Sequence, residues 1–77
     1  MSYLSFSERP QIGKKTRLWW VESGSACLGR IKWFSHWRRY CFYPENDTLY
    51  DSKCLSEIAV FCDNQTLIHK EKGKELP

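Results

Sequence analysis

The fold is decided by the stretch CLGRIKWFSHWRRYCFYP, residues 27–44. Two runs within it, residues 27–34 and 37–43, are rich in aromatic and β-branched side chains and are separated by the turn residues Ser-His. Such runs predict two strands of an antiparallel hairpin. A further run, RLWWVE at residues 17–22, comes before them and ends at Ser-Gly-Ser. Short loops between the three runs favour neighbouring pairs in a meander.

A helix is predicted after the strands. Its apolar residues recur at spacings of three and four, which places them on one stripe: Cys54, Leu55, Ile58, Phe61 and Cys62. Asp51 or Ser52 is placed to cap the first turn. The weak helix propensity of DNQT at residues 63–66 predicts an end between residues 64 and 69. The predicted class is therefore α+β, a three-stranded antiparallel β-meander packed against one C-terminal α-helix.

The length of 77 residues leaves room for one hydrophobic core. Residues 1–15 lack a clear period and contain proline and glycine, so we expect a flexible N-terminal arm. Residues 16–69 form the single β-β-β-α domain, and residues 70–77 are expected to be a disordered charged tail. Neither a signal-peptide pattern nor an apolar run of about 20 residues is present, so we expect a cytoplasmic protein with no membrane partner.

The four cysteines do not form a recognisable metal or disulfide pattern. No Cys-x-x-Cys pair exists, and neither His36 nor His69 lies at ligand spacing from a cysteine. Without an export signal, reduced thiols are expected. We therefore predict that Cys27, Cys41, Cys54 and Cys62 act as small buried hydrophobes, with no metal and no cofactor.

Alternation of side chains assigns the two faces of the predicted sheet. The face expected to lie under the helix carries Trp19, Val21, Gly29, Ile31, Trp33, Tyr40 and Phe42. Glycine at position 29 would leave room for a neighbouring ring. The opposite face carries Trp20, Glu22, Arg30, Lys32, Phe34, Trp37, Arg39, Cys41 and Tyr43.

The short turn also predicts a register for the hairpin. The expected opposite pairs are Ile31 with Tyr40, Lys32 with Arg39, and Phe34 with Trp37. Like charges directly opposite each other on a sheet are unfavourable by some tenths of a kcal/mol. An anionic partner would remove that cost.

Part of this pattern resembles a known group of proteins. The chain reads LGxIxW at residues 28–33, WRxYxFxP at residues 37–44 and CLxxIxxF at residues 54–61, with Thr48 and Tyr50 between. This is similar to a group of small phage- and prophage-encoded proteins of unassigned function. The resemblance covers roughly residues 19–61. It implies a phage or prophage setting, hence the cytoplasm of a host cell, and a meander-plus-helix shape. It implies no mechanism.

No constellation for catalysis can be read from the sequence, so we predict that the chain is not an enzyme. His36 lies in a turn and His69 near the helix end, so nothing pairs them. The nearest approach to an activated thiol is Cys41 two residues from Arg39. No glycine-rich phosphate loop, carboxylate pair or metal triad appears.

The face away from the helix is the predicted binding face, with site residues Trp20, Arg30, Lys32, Trp37, Arg39 and Tyr43. Residues 14–43 hold seven basic residues and one acid, which adds positive charge to this part of the chain. Arg38 has the opposite parity, and we expect it to stack on an indole or bond to the helix.

Three uses of the predicted binding face are open. Trp, Tyr and Arg dominate protein interfaces, which favours a host or phage protein as partner, or a second copy in a homodimer. Cations among rings also suit single-stranded nucleic acid. The third alternative is an intramolecular lid, in which Tyr3 and Phe6 of the arm cover Trp20 and Trp37.

Overall fold

The computed structural model describes residues 4–13 and 15–75. Within these ranges the elements are β1 (Ser5–Arg9), β2 (Leu18–Ser23), β3 (Ala26–Phe34), β4 (Arg39–Pro44) and α1 (Ser52–Glu75). The strands form one antiparallel sheet in the order β1-β2-β3-β4. The predicted α+β class and antiparallel meander are confirmed. The predicted number of three strands is wrong, because the described sheet has four.

The additional strand, β1, lies in the segment 1–15 that the sequence predicts to be a flexible arm. It pairs with β2, with Phe6 opposite Val21. Leu4 is buried, and the Phe6 ring stacks on the Phe61 ring of α1 with centroids 4.1 Å apart. Burying an apolar side chain is worth roughly 1.5–3 kcal/mol, which offsets part of the cost of ordering this short strand, and pairing with β2 adds to it. The alternation of apolar residues and serines was too short to reveal it.

The hairpin between β3 and β4 closes through a four-residue turn, residues 35–38. The backbone N–H groups of Trp37 and Arg38 both donate to the Phe34 carbonyl, at 3.2 and 2.9 Å. Arg38 has a φ of 54°, in the left-handed region that few residues other than glycine adopt. This turn is two residues longer than the Ser-His turn of the sequence pattern.

The longer turn shifts the register of the hairpin. The structure pairs Ile31 with Phe42, Lys32 with Cys41, and Phe34 with Arg39. The predicted pairs Ile31–Tyr40, Lys32–Arg39 and Phe34–Trp37 are therefore wrong, and the like-charge pair does not form. Because the shift is two residues, the side chains of β3 and β4 that were assigned to a face keep it.

One face of the sheet and α1 enclose the core. Its buried residues are Leu4, Trp19, Val21, Ile31, Tyr40 and Ile58. The Trp19 ring makes edge-to-face contacts with the rings of Tyr40 and Phe61, at centroid distances of 5.2 and 5.0 Å. Such pairs add about 0.5–1.5 kcal/mol each to the burial energy. The predicted core face is thereby confirmed.

Asp51 caps α1, and it is one of the two residues that the sequence predicted for this role. Its carboxylate accepts from the Cys54 N–H at 2.9 Å, and its carbonyl accepts from the Leu55 N–H at 3.0 Å. The predicted stripe packs on the core through Cys54, Ile58, Phe61 and Cys62. Leu55 does not belong to it, because 52% of its surface is exposed.

The helix continues to Glu75, so the predicted end between residues 64 and 69 is wrong, and residues 70–75 of the predicted disordered tail are helical. Residues 76–77 lie outside the described ranges. Tertiary contacts offset the weak propensity of this part of the chain. The Thr66 hydroxyl donates to the Cys62 carbonyl at 2.7 Å and accepts from the Tyr40 N–H at 2.9 Å. The His69 ring packs on the Trp33 ring at 4.4 Å.

A cation does stack on an indole of the core face, but it is Arg17. The expectation that Arg38 would stack on an indole or bond to the helix is wrong. The Arg17 guanidinium lies 4.8 Å from the Trp19 ring and donates to Glu8 at 2.8 Å. That hydrogen bond raises the pKa of Arg17, partly opposed by burial. Arg38 is instead exposed in the turn.

The four cysteines are free and half-buried, which is more exposed than the sequence predicted. In the described ranges, no three His, Cys, Asp or Glu side chains converge as metal ligands do. No helix within these ranges combines the length and apolarity that crossing a membrane requires.

Candidate functional site

The sheet has one face under α1 and one face that points away from it. The second face is termed the open face. Strand alternation and the observed register place on it Ser5, Ser7, Arg9, Leu18, Trp20, Glu22, Arg30, Lys32, Phe34, Arg39, Cys41 and Tyr43. Five of the six predicted site residues belong to this set. The sixth, Trp37, lies in the turn that adjoins it.

The N-terminal segment does not cover the open face with Phe6. That ring lies on the helix side, against Phe61. The predicted lid is therefore wrong for Phe6, and Tyr3 lies outside the described residues. The β1 residue opposite Trp20 in the pairing register is Ser7.

Positive charge dominates the open face. The set above contains four cations, Arg9, Arg30, Lys32 and Arg39, and one acid, Glu22. The Glu22 carboxylate accepts a hydrogen bond from the Ser7 hydroxyl at 3.2 Å, on the β1 side of the sheet. The β3–β4 side of the face is thus basic, with no acid among its strand residues.

Cations of the sheet cover two of the aromatic rings. The Arg30 guanidinium lies 5.5 Å from the centre of the Trp20 ring, and the Lys32 ammonium lies 4.6 Å from the centre of the Tyr43 ring. Contacts of this kind are worth about 0.5–1 kcal/mol at exposed positions. They hold the two cations close to the sheet, and they occupy one face of each ring.

Trp37 is the most exposed aromatic residue of the site, with 65% of its surface accessible. Its ring meets the Phe34 ring edge to face at 5.0 Å. A shallow pocket of about 260 Å³ adjoins this pair and is lined by Phe34, Trp37, Cys41, Phe42 and Tyr43. It is termed the hairpin pocket. Strand alternation predicts that Phe34 and Cys41 lie on this face, but it does not single them out, because the turn that brings Trp37 beside them has no signal in the local sequence.

The hairpin pocket is electrically neutral inside. Burial raises the pKa of the Cys41 thiol, and the nearby Arg39 charge opposes this only in part. Burial also raises the pKa of Tyr43, with a further contribution from Cys41. Both groups stay protonated at neutral pH. Arg39 therefore does not turn Cys41 into a thiolate nucleophile, and the charge of the site resides in the cations beside the pocket.

Concavities also lie on the helix side of the sheet, and two of them have volumes of about 220 Å³ or more. The larger, of about 490 Å³, runs between β1 and α1 over an apolar floor of Phe6, Val60 and Phe61. The smaller, of about 220 Å³, borders the outer edge of β4 and is termed the edge groove; it is lined by Arg39, Asp63, Thr66, Leu67 and Lys70. Arg39 thus reaches from the open face to the edge of the sheet.

The fold and this face define a small α+β protein with a basic and aromatic sheet surface on the side away from α1. Over 61 residues the chain is 38% identical to an uncharacterised 9.3 kDa protein of Acholeplasma phage L2, an alignment that covers 77% of this chain and 78% of the phage protein. The chain belongs to the family of that phage protein. No protein-family model matches the chain, and no solved structure matches it. The resemblance to small phage proteins of unassigned function is confirmed at this level.

Proposed function

We propose that this chain is a non-enzymatic phage accessory protein that binds a host or viral protein through the open face. One observation carries the proposal. An exposed indole, Trp37, stands beside an apolar pocket, and the Lys32 ammonium lies over the Tyr43 ring that lines the same pocket. Such a factor would act in the cytoplasm of the host cell, in host takeover or counter-defence.

The composition of the face supports a protein partner. Interface hot spots are enriched in Trp, Tyr and Arg, and they cluster around pockets from which contacts at the rim exclude water. Trp37 and the hairpin pocket supply the centre of such a site. Lys32 and Arg39 supply a charged rim, which governs specificity and association rate more than affinity.

Single-stranded nucleic acid is the second candidate, favoured by the four cations. Binding of this kind also relies on ring faces that stack on successive bases. Here one face each of Trp20 and Tyr43 is occupied by a cation, and Phe34 and Trp37 meet edge to face. Fewer ring faces therefore remain for bases than the sequence suggests.

A homodimer through this face would bring its excess of cations against the same cations of a second copy. Like charges across an interface are unfavourable, so the charge of the face supports a different, acidic partner.

The experiment is a quantitative pull-down from host lysate with the tagged chain and a double variant, Trp37→Ala with Arg39→Ala. The matched control changes an exposed apolar residue and an exposed cation on the helix side, Val60→Ala with Lys15→Ala. We expect the affinity of the first variant for its partner protein to fall at least about 30-fold, because truncating a hot-spot residue costs about 2 kcal/mol or more. The control should retain the partner. Circular dichroism checks that both variants are folded.

Equal recovery by both variants would mean that the binding face is elsewhere. Gel-shift titration with single-stranded RNA and DNA at low salt tests the second candidate. A shift that weakens steeply as salt rises would indicate phosphate contacts and favour nucleic acid.

A further inference from the structure

The outer edge of β4 presents backbone hydrogen-bonding groups beside the hairpin pocket. The Tyr40 N–H points away from β3, because it donates to the Thr66 hydroxyl of α1. In an antiparallel strand, residues two apart direct their N–H and C=O groups to the same side. The N–H and C=O of Phe42 therefore also point outward. Pro44, two residues further, has no N–H to offer.

Hydrogen bonds within the described part of the chain use the outward backbone groups of this edge at Tyr40 but not at Phe42. At Tyr40, the Thr66 hydroxyl occupies the N–H and α1 lies against the strand. At Phe42, none of the side-chain or loop hydrogen bonds among the described residues uses the outward groups. An unpaired donor and acceptor on one residue match the pattern by which an added strand exchanges two hydrogen bonds with its neighbour.

Side-chain sites lie on both sides of the same edge. Directly opposite residues share a face, so a residue paired with Phe42 would point to the helix side; the edge groove lies further along this edge, at Arg39 and Thr66. Its sequence neighbours would point to the open face, where the hairpin pocket is lined by Cys41 and Tyr43. At about 260 Å³, that pocket is smaller than the roughly 300–1,000 Å³ of small-molecule sites, so it suits a single apolar side chain.

The charge around the edge selects an acidic segment. Lys32 lies over the Tyr43 ring that lines the pocket, and Arg39 borders both the open face and the edge groove. Lys70 adds a third cation, and Asp63 is the acid among the described residues that line the edge groove. Carboxylates that flank an apolar residue would meet these cations from either side of the strand.

We propose that the partner enters as an extended, acidic segment that pairs with Phe42 on the outer edge of β4 and inserts one apolar side chain into the hairpin pocket. This inference rests on the proposed function and specifies its partner. Backbone pairing at the edge supplies the direction of the segment, and the pocket and cations supply its sequence preference.

The probe is the peptide acetyl-Glu-Glu-Leu-Glu-Glu-amide, titrated into the isotope-labelled chain up to about 5 mM and followed by amide NMR; dissociation constants near 1 mM correspond to about 4 kcal/mol of binding free energy. We expect saturable shifts of the Phe42 amide, the neighbouring amides of Cys41 and Tyr43, and the Trp37 indole N–H. The peptide acetyl-Lys-Lys-Leu-Lys-Lys-amide should bind at least about tenfold more weakly.

N-methylated peptides separate edge pairing from simple pocket binding. When Leu fills the pocket, its own N–H points away from β4 and the N–H groups of its two neighbours point toward β4. Methylation of the Leu nitrogen should therefore leave binding unchanged, whereas methylation of the nitrogens of the residues flanking Leu should weaken it at least about tenfold. Equal binding by both methylated peptides would overturn the edge pairing.

The peptide titration and the pull-down together distinguish a failure of this inference from a failure of the proposed function. If the acidic peptide causes no saturable shift while Trp37→Ala with Arg39→Ala still abolishes partner recovery, the face is right and the segment is wrong. If the peptide fails and the double variant recovers partners normally, both proposals fail. Shifts of the same signals by a ten-nucleotide oligothymidylate, without any by the acidic peptide, would overturn the inference in favour of nucleic acid.

Discussion

Replacing Gly29 by alanine tests the register that puts the site residues together. Gly29 is buried in β3 opposite Pro44. A Cβ atom there would lie 2.8 Å from Cε1 and 2.9 Å from Cζ of the Phe42 ring, and closer still to the Tyr43 carbonyl oxygen. Distances below 3.0 Å are essentially never observed for Cβ atoms, so one of these groups must move.

Neither group can move freely. The Phe42 ring packs edge to face on the Tyr50 ring at 5.4 Å, and the Tyr50 hydroxyl donates to the Leu28 carbonyl at 2.7 Å. The Tyr43 carbonyl belongs to a strand that is paired with β3. Overpacking of this kind costs about 1–3 kcal/mol, and the lower unfolded-state entropy of alanine offsets about 0.4–1 kcal/mol.

The closest contact is with backbone, so we expect an overpacking cost near the top of its range. After the entropic offset is subtracted, the free energy of unfolding should fall by about 2 kcal/mol. For a domain of this size, 1 kcal/mol shifts Tm by about 4–8 °C, so Gly29→Ala should lower Tm by about 8–16 °C. Thermal and urea unfolding followed by tryptophan fluorescence measure the change. Ser25→Ala, at an exposed turn residue, is the control and should change stability by less than about 0.5 kcal/mol.

A double variant with Phe42→Leu identifies which contact dominates. It relieves the ring contact and leaves the carbonyl in place, so most of the Gly29→Ala penalty should persist in the Phe42→Leu background. A Gly29→Ala chain as stable as the parent would refute the reasoning, because it would mean that Phe42 and Tyr43 do not lie against β3 in this register.

Three further outcomes are expected. The hydrogen bond from the Cys54 N–H lowers the pKa of Asp51, so the stabilising effect of its carboxylate is present above the unfolded pKa of about 3.9 and is lost as pH falls through the folded pKa. The variant Asp51→Asn should therefore flatten the fall of Tm between pH 5 and 2, and an unchanged slope would contradict the cap. Burial raises the pKa of Cys62 to about 11, so mass spectrometry should show its alkylation rate rising about tenfold per pH unit between pH 8 and 10, and a plateau below pH 9 would contradict this. Thr66→Val keeps the side-chain shape but leaves the Tyr40 N–H without its acceptor, so the free energy of unfolding measured in urea should fall by about 1–3 kcal/mol. An unchanged free energy would mean that this hydrogen bond does not close the edge.

Strand parity was the part of the fold that could be predicted most securely. Every strand side chain of β2, β3 and β4 discussed for the core or the open face has its predicted side, because the alternation has a period of two and survives any even shift in register. This is why the sequence alone suffices to place Trp20, Arg30, Lys32, Arg39 and Tyr43 on one face.

Features that depend on tertiary contacts could not be predicted in the same way. The turn that ends β3 adopts a left-handed conformation at Arg38, which nothing in the local sequence signals. The helix passes through residues of weak propensity because Thr66 and His69 bond to or pack on the sheet. β1 is ordered by the stacking of Phe6 on Phe61, a contact between distant parts of the chain.

The candidate site was predicted in composition but not in shape. Its cations and rings could be assigned to one face, whereas the pairing of Arg30 with Trp20 and of Lys32 with Tyr43 depends on side-chain positions across neighbouring strands. The hairpin pocket depends on the observed register and on the turn that holds Trp37.

Site-specific photo-crosslinking tests the central claim, that a partner contacts the open face, most directly. A photoreactive benzoyl-phenylalanine replaces Trp37 in one chain and Val60, in the concavity between β1 and α1, in another, and each is irradiated in host lysate. We predict a discrete adduct from position 37 that disappears with Lys32→Glu and persists with Lys15→Glu. A discrete adduct from position 60 with none from position 37, or an adduct from position 37 indifferent to Lys32→Glu, would contradict the account.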